Sequence, residues 1–133
     1  MDTLNAWIGD RENSPWNEYH CEHVAKGVLA GFSAAQWEQL RERITSQPQH
    51  WQARCAEVLG AERSANAIEL LKGLLLASPY LNVRASAACE LEWADAPIEA
   101  MYAASIQDVL QHLPHDAIEP ELPSLLARAE SGQ

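Results

Sequence analysis

Apolar residues recur three and four positions apart along most of the chain, the spacing of one face of an α-helix. The strongest stripe is Ile68, Leu71, Leu74 and Leu75. A narrower one follows at Val83, Ala87, Ala88 and Leu91, where small side chains let a neighbouring helix come close. Earlier stripes run through Val24, Val28 and Leu29, through Trp37, Leu40 and Ile44, and through Trp51, Cys55, Val58 and Leu59. After Pro97 come Ile98, Met101, Tyr102, Ile106, Val109 and Leu113, and Leu125 and Leu126 offer a last apolar pair. No segment alternates with period two, so the pattern predicts an all-α fold.

The polar punctuation agrees with the stripes. Ser14-Pro15 has the form of an N-cap followed by proline at the first helical position, opening a helix that Gly31 ends. Ser33-Ala-Ala-Gln36 is a capping box. Pro48 opens the next helix and Gly60 is the expected stop, after which Ser64 caps the fourth. Ser78-Pro79 is expected to start the fifth helix and Pro97 the sixth. Pro114, Pro120 and Pro123 break the chain before a closing helix at about 123–130. Leu4, Trp7 and Ile8 share a helical face and suggest a short strap at the other end.

Two markers repeat. Pro15, Pro48 and Pro79 lie 33 and 31 residues apart, and Cys21, Cys55 and Cys89 are spaced by 34. Periods of this size mark stacked helix pairs, each burying its face on the next. Three pairs fit, at about 15–46, 48–77 and 79–113, within one domain spanning 1–133. The string Val83-Arg84-x-x-Ala87-Ala88-x-x-Leu91 resembles the first helix of a HEAT-type repeat. That resemblance covers about 48–113 and implies three antiparallel pairs in a short HEAT-like solenoid, with capping helices at the termini. The pairs are shorter than usual for the family, and Asn82 and Gln49 stand near the place where an aspartate is common. An irregular helical bundle is the alternative architecture.

Charge changes the picture more than composition does. The net charge is −10, and residues 85–127 hold eight acidic residues with no Lys or Arg. Such a one-signed field repels nucleic acid and anionic membranes and attracts a basic protein surface. With no basic and apolar leader visible and an odd number of cysteines, the expected compartment is the cytoplasm. On the fifth helix Glu90 and Trp93 share a face, with Glu92 beside them. Asp95 lies in the following turn, and Glu99 and Tyr102 lie at the start of the sixth helix. These six residues are the expected partner-binding strip, with aromatic anchors among acids. The alternative for the charge is a solvated face, and for Trp93 packing against its neighbours.

Catalysis is the minority reading, with Cys21 beside His20 and His23 its only candidate nucleophile. Glu18-Tyr-His20-Cys21-Glu22-His23 is the richest cluster of ligand-type side chains, but no single helix face gathers more than two good ligands. Cys55 and Cys89 stand on apolar stretches where thiols are packing residues. Phosphate-binding glycine loops, Gly-x-Ser-x-Gly and His-Glu-x-x-His are absent. The expectation is a non-enzyme without metal or cofactor. Small, acidic, helical chains lacking catalytic motifs resemble bacterial toxin-immunity proteins. That resemblance implies a stoichiometric inhibitor of a toxin domain with a basic surface, not bound to nucleic acid or membrane. The alternative is a HEAT-like scaffold or adaptor with no inhibitory role.

Overall fold

The computed structural model describes Leu4, Ile8, Gly9 and residues 16–131. From residue 16 onward seven α-helices follow one another among the described residues: α1 (Glu18–Gly27), α2 (Ala34–Arg43), α3 (Gln49–Glu62), α4 (Ala65–Ala77), α5 (Leu81–Trp93), α6 (Ala103–His112) and α7 (Glu121–Glu130). No strand occurs among the described residues, and none of their helices is long and apolar enough to cross a membrane.

The stripes form the core as expected. Leu71, Leu74, Leu75, Val83, Ala87, Ala88 and Leu91 are all fully buried. Trp37, Leu40, Ile44, Trp51, Cys55, Val58 and Leu59 join them. Gln49 at the start of α3 donates to Asn82 at the start of α5 at 2.5 Å, and Gly60 near the end of α3 faces Glu90 near the end of α5. The two helices therefore run side by side in the same sense, and α4 returns between them in sequence. Leu4 and Ile8 are fully buried too. The Ile8 carbonyl accepts from Arg54 Nη1 at 2.6 Å, which ties that segment to α3. The rest of the expected strap, Trp7 included, and the Ser14-Pro15 cap lie outside the described residues.

The capping box at Ser33 forms with both of its hydrogen bonds, at 2.8 and 3.3 Å. Ser64 caps α4 by accepting from the Ala67 amide. The first helix ends at Gly27 rather than Gly31, and Leu29–Gly31 form a separate 3-10 turn. Four further boundaries differ from expectation, each for a local reason. Ser78 does not cap α5, which starts two residues beyond Pro79; its buried hydroxyl donates to Gln52 Oε1 at 2.7 Å instead. The Gln52 amide in turn donates to the Thr45 and Gln47 carbonyls, so the residue bolts α3 to its neighbours. Pro97 does not open α6. Residues 97–99 run without helix, fully burying Ile98, and a 3-10 turn at Ala100–Tyr102 precedes α6. That turn leaves Met101 68% exposed, not in the core. The last helix begins at Glu121, with Pro123 accommodated in its first turn. Gly60 does not end α3; the helix runs on to Glu62 and stops at Arg63, whose φ of 61° is left-handed.

Candidate functional site

The mid-helix glycine leads to the site. Glycine inside a helix costs roughly 1 kcal/mol relative to alanine, so its place calls for a packing reason. A Cβ at Gly60 would stand 1.9 Å from Glu90 Oε1 and 2.5 Å from its Cδ. Only the bare α-carbon lets the Glu90 carboxylate lie across α3. Glu57, one turn earlier on α3, lines the same depression, and Arg63 stands at its edge with Nε on the Gly60 carbonyl at 2.8 Å.

Two cavities that share Glu57 and Glu90 as lining make up this groove. The first, about 470 Å³, is walled by Trp16, Asn17 and Cys21 on one side and by Glu57, Gly60, Ala61, Arg63 and Glu90 on the other. The second, about 320 Å³, continues past Glu57 and Glu90 to Ala85, Ser86, Cys89, Trp93, Ala117, Glu119 and Leu122. Trp16 Nε1 donates to Glu57 Oε2 at 2.7 Å, and the Arg54 guanidinium lies 5.6 Å from the centre of the Trp16 ring. That indole is engaged within the protein. Trp93 is 54% exposed and stands open at the far end.

Electrostatics single out Glu90. Burial, and after it the charge of Glu57, push its carboxyl up to about 7 against the opposing pull of Arg63. Among the described residues neither Glu90 nor Glu119 has an ion pair within 4 Å. The Cys89 thiol is pushed up to about 11, by burial and by Glu121, Glu119 and Glu90. Burial also raises the Cys55 thiol strongly. Both thiols are therefore held protonated, unsuited to nucleophilic work.

The six expected partner-binding residues fall into three settings rather than one strip. Glu90 and Trp93 face the groove. Glu92 turns to α7, where Arg128 Nε donates to it at 2.9 Å and Ser124 also donates. Asp95 forms the left-handed link of a Schellman turn closing α5, with φ 51° where glycine is usual and the Ala96 amide bonded back to the Leu91 carbonyl. Its carboxylate is fully open to solvent, 4.0 Å from Arg128. Glu99 receives Lys72 Nζ of α4 at 2.7 Å, and Tyr102, only 8% exposed, lays its ring 5.7 Å from that ammonium. Burial and Glu99 raise the Tyr102 hydroxyl. The physical reason for the division is the helix turn: Glu90 and Glu92 stand two residues apart and so point to nearly opposite sides.

Pattern reading alone did not connect Glu57, Gly60, Trp16 and Glu119 with Glu90. One signal was present, a glycine three residues after a glutamate inside an otherwise unbroken helical stripe. Around the other cluster singled out, Tyr19 and His23 stack at 6.4 Å and His20 bonds Asn17 at 2.8 Å. Among the described residues no three His, Cys, Asp or Glu side chains gather as a metal site. The groove sets the carboxylates of Glu57, Glu90 and Glu119 beside the exposed ring of Trp93. Comparison with known proteins found no matching family model, no matching curated protein and no matching solved structure.

Proposed function

We propose that this chain is a small acidic protein-binding module of the cytoplasm, an immunity protein that binds and blocks a toxin domain with a basic surface. In this reading α3–α6 form a short HEAT-like stack, and the groove beside Trp93 is the contact face. One observation carries it. Among the described residues Glu92, Glu99 and Asp108 each have a cation within 4 Å, whereas Glu90, Asp116 and Glu119 have none, and of these Glu90 and Glu119 flank an exposed tryptophan. Acids left open beside an aromatic anchor suit a basic protein surface, which they attract and then hold.

The test is capture and inhibition. A basic toxin domain should be recovered with the chain in equimolar amount and lose its activity on titration to one equivalent. Trp93→Ala combined with Glu119→Gln should keep the fold and weaken the complex at least tenfold. Recovery of a multiprotein assembly with no activity blocked would overturn inhibition in favour of an adaptor. Reversing Glu92 or Glu99 is not a binding test, because each anchors an internal cation.

A further inference from the structure

We propose that Glu57 and Glu90 together receive one arginine side chain of the basic partner, stacked on Trp93, with a proton leaving Glu90 for solvent as the guanidinium enters. This rests on the reading of the chain as a binder of a basic protein.

The groove has the shape and the chemistry for that occupant. It is closed on one side by α3 and on the other by α5, and Glu57 and Glu90 line both of its cavities. The space over Gly60 admits the Glu90 carboxylate against the α3 backbone, and Glu57 beside it accepts from the Trp16 indole. A planar guanidinium can give separate N–H groups to two carboxylates and still lay its face on an indole. The protein already contains that pairing of groups, with Arg54 on Trp16 and the same indole donating to Glu57. Trp93 at the opposite end offers a second, open indole. A lysine ammonium would reach one carboxylate as a point charge and gain less from the ring.

The proton follows from the groups that face Glu90 among the described residues. From α3 these are Glu57 and Arg63, from α1 Cys21, and from the connection to α7 Glu119, with Cys89 adjacent on α5 itself. Arg63 is the only cation among them, and it is drawn to the Gly60 carbonyl. Near neutral pH Glu90 is therefore divided between its acid and its ionised form. Entry of a guanidinium cation favours the ionised form: the acid gives its proton to water, and the carboxylate pairs with the guanidinium. Binding should then strengthen as pH rises, the opposite of what loss of charge on a histidine would give.

Carboxyl-detected and indole-detected NMR on the full chain tests this with three peptides, acetyl-Ala-Arg-Ala-amide and its lysine and citrulline counterparts. The arginine peptide should shift Glu90 and Trp93 saturably, with affinity about tenfold higher at pH 8 than at pH 6, as one group titrating near 7 dictates. The lysine peptide should bind more weakly and the citrulline peptide not at all. Glu90→Gln should weaken arginine binding and abolish its pH dependence, whereas Glu119→Gln should leave that dependence in place. Trp93→Ala, at an exposed position, should lower affinity with the fold unchanged. Equal affinity at both pH values, shifts confined to other residues, or equal binding of citrulline would overturn the inference. If the arginine peptide binds as described and no toxin is neutralised, the groove stands and the inhibitor reading falls. If a toxin is neutralised by a chain whose Glu90 ignores the peptide, the inference falls and the reading stands.

Discussion

Two regions of the molecule use carboxylates in opposite ways. On the side built from α4 to α7, acids are structural. Lys72 is almost wholly buried and held by Glu99 at 2.7 Å, with Glu69 at 3.8 Å. Arg84 spans from the Leu75 carbonyl to Asp108 and the Ser105 carbonyl. Arg128 joins Glu92 to the Ala96 carbonyl. The Arg84 hydrogen bond holds the Asp108 carboxyl below its usual range. In the groove between α3 and α5, by contrast, Glu90 is half-buried, pushed up to about 7, and unpaired among the described residues. The difference teaches that the run of acids after residue 84 is not one surface. Glu99, Asp108 and Glu92 neutralise long basic side chains reaching across from α4, α5 and α7, whereas Glu90, Asp116, Glu119 and Glu121 have no cation within 4 Å among the described residues.

Substitutions can break or sharpen this contrast, and the largest effect belongs to neither region. Leu91 lies between Glu90 and Glu92, fully buried beneath both. Leu91→Ala should destabilise by about 2–5 kcal/mol in urea unfolding, as buried leucine truncations do. Next comes the strut side. Arg128→Ala leaves Glu92 Oε1 and the Ala96 carbonyl without their donor, and should cost about 1–3 kcal/mol. If Arg128→Ala proves as mild as Trp93→Ala in the groove, the acids of the two regions do not differ in role.

A pH-dependent effect follows. The Glu90 carboxyl is raised from 4.5 to about 7, so the folded protein holds its proton more tightly than the unfolded chain does. Between those values the folded state carries more protons, and this contribution to stability falls as pH rises. Glu90→Gln removes it. The variant should match the parent most closely near pH 4.5 and gain on it up to about pH 8. Gly60→Ala should change stability by less than about 1 kcal/mol, because the helix gain offsets the displaced side chain. It should nonetheless return the Glu90 titration toward the ordinary range by turning the carboxylate out to water. Smallest of all, Glu38→Gln loses only an exposed pair with Arg41 at 3.7 Å and should shift stability by under about 0.5 kcal/mol.

The helices and most of their buried faces were legible from spacing, because burial of a stripe is what makes a short helix stable. The capping box at Ser33 and the cap at Ser64 were legible because those bonds are local. What spacing could not show was long-range. Ser78 gave up its cap for Gln52, 26 residues away, and Gly60 was kept for Glu90 rather than for ending a helix. The candidate site was legible only in Glu90 and Trp93. Glu99 and Tyr102 were drawn off by a lysine 27 residues from Glu99, and Glu92 by an arginine 36 residues from it. Charge counting along a chain cannot see such partners.

The most direct test is a titration of every Asp and Glu side-chain carboxyl by carbon NMR in the free protein. The division of the acids predicts a Glu90 midpoint near 7, and an Asp108 midpoint below its usual value of 3.8. A Glu90 midpoint near 4.5, like that of an ordinary exposed glutamate, would contradict it and leave the groove with no acid distinct from the rest of the surface.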